Sequence, residues 1–131
     1  MILLDTQALI WWSTNRKLLS TKAFNKISSE IKKNKVLVSS ISIWETYLLV
    51  KSRKFGLEID IDTWLEKLEQ TPYLEFIPLD NSIAAKSVML PDPLHRDPAD
   101  RFIIATAREH GAIIITSDKQ IRNYPHVQTL W

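Results

Sequence analysis

The most informative stretch of the chain runs Asp97-Pro98-Ala99-Asp100-Arg101-Phe102-Ile103-Ile104-Ala105-Thr106-Ala107. It predicts a helix with Asp97 as N-cap, because that side chain can accept the free backbone N–H groups of the first turn. Pro98 suits the first helical position, and Gly111 stands where a left-handed residue would end the helix. Asp100 lies one turn beyond the cap. Two carboxylates thus share the positive end of one helix, either as caps alone or as part of a site.

The composition predicts one folded domain, residues 1–131, with 45% hydrophobic and 24% charged residues. No apolar run approaches the roughly 18 residues of a membrane helix, so we expect no membrane partner. The first four residues are followed at once by Asp5 and predict a first strand rather than a signal peptide. The chain has no cysteine, which is compatible with a reducing compartment. We therefore expect a cytoplasmic protein.

Several function classes are excluded by what the chain lacks. Its two glycines, Gly56 and Gly111, are too few and too far apart for a Rossmann or Walker A phosphate loop. Its three histidines do not form the H-E-x-x-H pattern of a zinc protease. A formal net charge of +2 is too small to identify a nucleic-acid binder, so any such function must rest on where the charges lie.

Short apolar runs alternate with helical patterns along the chain, which predicts an α/β fold with a parallel sheet flanked by helices. The predicted strands are residues 1–4, 36–38, 74–77, 112–116 and 127–130. We expect Ser20 to cap a second helix that ends near Lys33 and has an apolar face of Phe24, Ile27 and Ile31 at helical spacing. A third helix should open with Ser42 and Glu45 as a capping box and stop at Gly56.

Polar residues follow three of the predicted strands, at 5–6, 39–40 and 116–118. The carboxyl ends of parallel strands meet at one edge of a sheet, where ligands of such folds bind. Two helices should carry a further acid each in their first turn at that edge. Four carboxylates from distant parts of the chain are therefore predicted to converge, namely Asp5, Glu45, Asp100 and Asp118.

Each acid has a simpler explanation, since Glu45 could complete its capping box and Asp118 could cap the helix after it. Asp5 is harder to explain in this way because it directly follows buried apolar residues. Four carboxylates packed together would repel one another unless a cation neutralised them. Oxygen-only ligands favour Mg²⁺, or Mn²⁺ in its place, and such an ion can activate water for phosphodiester hydrolysis.

These residues resemble the PIN-domain family, and in particular the VapC-type ribonuclease toxins of toxin–antitoxin pairs. The likeness rests on the four acids in order and on the Asp97–Ala107 motif. It implies a three-layer sandwich and a Mg²⁺-dependent endoribonuclease that acts on RNA. It also implies a cognate antitoxin and a homodimer. The implied catalytic and metal-binding set is Asp5, Glu45, Asp100 and Asp118, with Thr6, Asp97 and Thr116 in support.

Basic and aromatic residues are candidates for partner contacts. Lys51, Arg53 and Arg101 could bind RNA phosphates, although the first two could equally be a solvated helix end. The tryptophans at 11, 12 and 44 are expected mainly in the core, with a surface anchor as the alternative. His95 is either a plain loop histidine or a substrate contact.

A competing interpretation is a non-catalytic module, receiver-like or RNA-binding, that holds Mg²⁺ with the same acids. A haloacid-dehalogenase phosphatase is disfavoured, because Gln7 stands where its second aspartate is required.

Overall fold

The computed structural model describes residues 1–33 and 35–131 and shows a five-stranded parallel sheet. The strand order is β3-β2-β1-β4-β5. Leu3 of the central strand pairs with Leu37 on one side and Ile114 on the other. The predicted α/β fold is confirmed. The strands are β1 Ile2–Leu4, β2 Val36–Ser39, β3 Leu74–Ile77, β4 Ile113–Ile115 and β5 Thr129–Leu130.

Helices cover both faces of the sheet because successive strand residues point to opposite sides. Leu3, Leu37 and Ile114 are buried against α5 and α6, whereas Ile2 and Leu4 are buried against the layer of α1, α2 and α4. The result is a three-layer sandwich. Its helices are α1 Thr6–Thr14, α2 Thr21–Ile31, α3 Ser40–Lys51, α4 Ile61–Glu69, α5 Asn81–Val88, α6 Pro98–His110 and α7 Lys119–Arg122, with a 3₁₀ turn at Arg16–Leu18.

Helix α6 has the predicted termini. Asp97 Oδ1 accepts hydrogen bonds from the backbone N–H groups of Ala99 and Asp100, at 3.0 and 3.3 Å. Gly111 ends the helix in the left-handed region, with φ of 64°, where a side chain would strain the backbone. Asp100 therefore sits at a fixed position in the first turn of α6.

Helix α3 differs from its prediction at both ends. Its N-cap is Ser39, whose hydroxyl accepts from the N–H of Ile41, so the predicted capping box of Ser42 with Glu45 is wrong. The helix ends at Lys51 rather than at Gly56, and Arg53 takes the positive φ of 59° after it. A serine that ends a strand is as good a cap as one three residues on. Glu45 consequently lies in the second turn of α3.

Two further expectations about apolar residues are corrected. Phe24 is 39% exposed on α2, so it is not a core residue. Trp12 is buried as expected, but Trp44 is 57% exposed on α3. The buried side of α3 instead presents Ser42 and Thr46, both fully covered, because small side chains let neighbouring helices approach. Within residues 1–33 and 35–131, no helix is long and apolar enough to cross a membrane.

Candidate active site

A cavity of about 320 Å³ lies beyond the carboxyl ends of β1 and β4. Three elements bring acids to it: the β1–α1 junction, helix α3 and the N-terminus of α6, while a fourth acid follows β4. The cavity therefore contains the whole predicted carboxylate set. Its lining residues are Asp5, Thr6, Gln7, Glu45, Leu49, Asp100, Ile103, Ser117 and Asp118.

Asp5 is the most buried of the four acids, with 5% of its surface exposed. Its Oδ1 atom accepts from the N–H of Ala8 at 2.8 Å, which makes Asp5 the N-cap of α1. Its pKa is raised from 3.8 to about 6, chiefly by burial and also by the charges of Asp100 and Asp118. The hydrogen bonds from Thr116 and Ala8 act in the opposite direction. Asp5 is thus a fixed carboxylate whose negative charge the fold only partly compensates.

Glu45 is held by Thr6, whose hydroxyl donates to Glu45 Oε1 and lies 3.0 Å from the buried hydroxyl of Ser42. Burial raises the Glu45 pKa, the bond from Thr6 lowers it, and the charges of Asp100 and Asp97 raise it. Thr6 thereby orients Glu45 from the first residue of α1.

Asp100 contacts a histidine that the sequence analysis did not link to it. His95 Nε2 lies 2.7 Å from Asp100 Oδ2, and the two side chains are only 18% and 15% exposed. Burial raises the Asp100 pKa, the bond from His95 lowers it, and the charges of Asp97 and Asp118 raise it.

Asp118 and Asp5 are linked through one buried hydroxyl. Thr116 is fully covered, hydrogen-bonds to the Asp5 carboxylate and accepts from the Asp118 N–H at 3.0 Å. Asp118 Oδ1 in turn accepts from the N–H of Gln120 at 2.8 Å, as the N-cap of α7. Thr116 therefore contacts two of the predicted site acids, although it does not line the cavity itself.

The donor set fits a hard divalent cation. It consists of carboxylate oxygens, and in the described part of the chain no lysine or arginine forms an ion pair with any of the four acids. Three of them have raised pKa values, chiefly because burial disfavours their charged forms and also because neighbouring acids repel them. No three Asp, Glu or His side chains among residues 1–33 and 35–131 are already spaced to hold one ion. Coordination of one ion by three of these side chains would therefore require at least one of them to rotate.

The predicted RNA-binding residues lie outside the cavity lining. Lys51 and Arg53 are exposed beyond Leu49, which is part of the cavity wall. The guanidinium of Arg101 donates instead to the carbonyl oxygens of Ser87, Val88 and His95. Asp97 is exposed and caps α6.

Sequence reasoning did not assign to the site two polar residues that line the cavity. Gln7 and Ser117 line the cavity, and each stands next to a predicted site position at a strand end, which was the available signal. His95 was considered as a substrate contact, but its partner is Asp100. Five residues separate them across an irregular loop, so no helical or strand spacing indicated the contact.

Comparison with known proteins identifies the family. The PIN-domain family model matches residues 2–127. The chain is 33% identical to Ribonuclease VapC22 of Mycobacterium tuberculosis, over 99% of this chain and 98% of that protein.

Two solved structures share the fold. VapBC2 of Rickettsia felis, bound to a promoter DNA fragment, gives a TM-score of 0.72 at 20% identity, over 100% of this chain and 99% of that one. A toxin–antitoxin complex from Klebsiella pneumoniae gives a TM-score of 0.66 at 22% sequence identity, over 100% of this chain and 97% of that one. The family match, the VapC relative and the common fold agree with one another, and the chain belongs to the PIN-domain family.

Proposed function

We propose that this protein is a Mg²⁺-dependent endoribonuclease in which Asp5, Glu45, Asp100 and Asp118 hold the metal. The observation that carries the proposal is the acidic cavity, where four carboxylates meet without a lysine or arginine partner among the described residues. The relative named as a ribonuclease supports RNA as the substrate. Mn²⁺ should replace Mg²⁺, because both ions prefer oxygen ligands.

The side chains of the cavity have distinct tasks in this proposal. When bound, the ion would supply a Lewis acid that favours ionisation of water and offsets charge on the phosphodiester. Asp5 provides a fixed negative charge at the floor, while Thr6 orients Glu45. Thr116 couples the positions of Asp5 and Asp118. Exposed Lys51 and Arg53 would attract the RNA backbone toward this end of the molecule.

The protein should act as the toxin of a toxin–antitoxin pair in the cytoplasm. Its structural neighbours include toxin–antitoxin complexes, which supports an antitoxin as partner. An acidic cavity of this kind would accept an arginine from that partner, because the guanidinium fork matches carboxylate geometry. We also propose a homodimer. Expression of the protein alone should stop cell growth, and Asp5→Asn should relieve the arrest.

The direct test incubates the purified protein with a structured RNA of defined sequence in Mg²⁺, in Mn²⁺ and in EDTA. Cleavage at internal positions with either ion, and none in EDTA, is the expected result. RNA retention without cleavage under all three conditions would instead favour the non-catalytic, metal- or RNA-binding module. Cleavage that persists in EDTA would contradict the metal requirement.

The partner is tested by co-purification with the product of the neighbouring gene. We expect a stable complex with suppressed cleavage and a cavity closed to Mn²⁺. A complex that cleaves RNA as fast as the free protein would contradict an antitoxin that plugs the cavity, and would leave the nuclease proposal intact.

A further inference from the structure

His95 contacts one of the four acids of the cavity. Its Nε2 atom lies 2.7 Å from Asp100 Oδ2, yet His95 is not among the residues that line the cavity. An ionised carboxylate can only accept, so the hydrogen of this bond belongs to Nε2. A neutral imidazole in the Nε2–H form is enough to make it. His95 therefore occupies Oδ2 of Asp100 and does not contact Oδ1.

Arg101 fixes the backbone that carries His95. Its Nη1 atom donates to the His95 carbonyl at 3.3 Å, while Nε and Nη2 donate to the carbonyls of Ser87 and Val88, at 3.0 and 3.2 Å. A planar guanidinium holds three acceptors in a fixed relative geometry, which an ammonium group cannot do. Arg101 thus ties the loop and the end of α5 to the first turn of α6, the same turn that carries Asp100.

The loop before His95 has a second anchor. The buried side chain of Tyr124 donates from its hydroxyl to the carbonyl of Pro91 at 2.7 Å, across 33 residues of sequence. Leu90 is buried in the same core cluster as Tyr124. His95 is therefore presented to Asp100 from a loop held at both ends, rather than by a free surface side chain.

We propose that His95 is a positioning residue that holds the Asp100 carboxylate in the orientation required for metal binding. The inference rests on the proposed function, since it concerns Asp100 as a metal ligand. Ligating carboxylates are commonly oriented by an outer hydrogen-bond donor, and loss of such a partner typically lowers metal affinity by about 10- to 100-fold. Asp100 lies in the first turn of α6, and the hydrogen bond from His95 restricts the rotation of its carboxylate.

The test compares wild-type protein with His95→Ala and His95→Gln by titration with Mn²⁺, using electron paramagnetic resonance of the free ion. Gln places an amide N–H near the position of the imidazole Nε2. His110→Ala is the matched control, because His110 is exposed at the C-terminal end of α6, far from Asp100 in the first turn of that helix. We expect His95→Ala to weaken Mn²⁺ binding about tenfold or more, His95→Gln to recover most of that loss, and His110→Ala to bind as wild type does.

Two additional measurements separate positioning from a general structural effect. The circular dichroism spectrum should be unchanged in all three variants. In RNA cleavage, His95→Ala should need more Mg²⁺ for half-maximal rate, and saturating Mg²⁺ should restore most of kcat with little change in the KM for RNA.

The outcomes distinguish this inference from the proposal on which it rests. Wild-type protein that neither binds Mn²⁺ nor cleaves RNA would overturn both. Wild-type binding accompanied by equal Mn²⁺ affinity in folded His95→Ala would overturn the positioning role alone. A lost affinity that Gln does not recover would also contradict a hydrogen-bond donor as the active feature of His95.

Discussion

Two acids of this protein are buried to the same degree but surrounded differently. Glu30 is 4% exposed on α2, and its Oε1 atom lies 3.2 Å from the Met1 α-ammonium and 3.3 Å from Lys26 Nζ. Asp5 is 5% exposed, and its charged neighbours are Asp100 and Asp118. Glu30 thus lies beside two cations of the chain, whereas Asp5 lies beside two other carboxylates.

This contrast separates a structural acid from a functional one. Burial of a charge is costly unless an opposite charge or hydrogen bonds compensate it, and at Glu30 the fold supplies that compensation itself. At Asp5 it supplies hydrogen bonds from Ala8 and Thr116, but no cation from residues 1–33 or 35–131 forms an ion pair with it. A region that keeps an uncompensated negative charge is suited to bind a cation from solution, and the following predictions test that difference.

The largest expected effect is the loss of RNA cleavage in Asp100→Asn. The amide keeps the size of the side chain and can still accept from His95, but it removes one negative charge from the proposed metal set. We expect the cleavage rate to fall at least about a hundredfold, since a bound ion contributes several kcal/mol to the transition state. A gel assay with end-labelled RNA measures it. Unchanged cleavage by a folded variant would remove Asp100 from the site.

Asp5→Asn should stabilise the metal-free protein. Asn can still accept from Ala8 as an N-cap, but it carries no charge. The folded-state pKa of about 6 lies above the ordinary 3.8, so the folded chain binds the proton more tightly, and wild-type stability falls as the pH rises between these values. The advantage of Asn should be absent below pH 4, grow to pH 6 and stay constant above, with a ceiling of about 3 kcal/mol.

Urea unfolding in EDTA at several pH values measures this gain. Saturating Mn²⁺ should remove it at pH 7.5, because the ion stabilises only the chain that binds it. A variant that is less stable than wild type at pH 7.5 without metal would show that Asp5 is compensated by the fold, as Glu30 is.

Glu30→Gln should have the opposite sign. It removes the charge that faces Met1 and Lys26. We expect a loss of about 1–2 kcal/mol, because hydrogen bonds to charged groups are worth about 1.5–3 kcal/mol and the partial exposure of both cations reduces that value. RNA cleavage below the melting temperature should remain at the wild-type rate. Thermal unfolding and the cleavage assay test the two halves separately. If Glu30→Gln were more stable than wild type, the fold would not compensate the charge of Glu30, and the contrast with Asp5 would be wrong.

The parts of this molecule that were predictable from sequence depend on local chemistry. The strands Ile2–Leu4 and Ile113–Ile115 are apolar runs bounded by polar residues, and α6 has both termini specified by Asp97, Pro98 and Gly111. Convergence of the four acids was predictable because the carboxyl ends of parallel strands meet at one edge of a sheet. That argument requires only that the strands run parallel. The metal set itself came from the family resemblance and remains a proposal.

The unpredicted parts depend on competition between neighbours or on loop geometry. Ser39 and Ser42 are chemically equivalent caps, and only the end of β2 decides between them. Trp44 is exposed because Ser42 and Thr46 occupy the buried side of α3, which no hydrophobicity pattern indicates. The contact between His95 and Asp100 depends on the path of an irregular loop held by Arg101 and Tyr124.

Substitution of Asp97 should give the smallest effect of the acids considered. Asp97 has features of both a structural acid such as Glu30 and a functional acid such as Asp5. It is exposed, it caps α6 through Oδ1, and its charge raises the pKa of both Glu45 and Asp100. Asp97→Asn keeps a good cap and removes the charge, whereas Asp97→Ala removes both. We expect the Ala variant to lose about 1 kcal/mol of stability and the Asn variant to stay near wild type.

Cleavage by the two Asp97 variants then separates capping from metal binding. If Asp97 only caps, Asp97→Asn should cleave RNA within a fewfold of wild type, because the first turn that presents Asp100 is preserved. If its charge contributes to the metal site, Asp97→Asn should need more Mg²⁺ for half-maximal rate, and the Ala variant should need no more than that. The half-maximal Mg²⁺ concentration, measured for both at one temperature well below melting, distinguishes a cap of α6 from a fifth acid of the site.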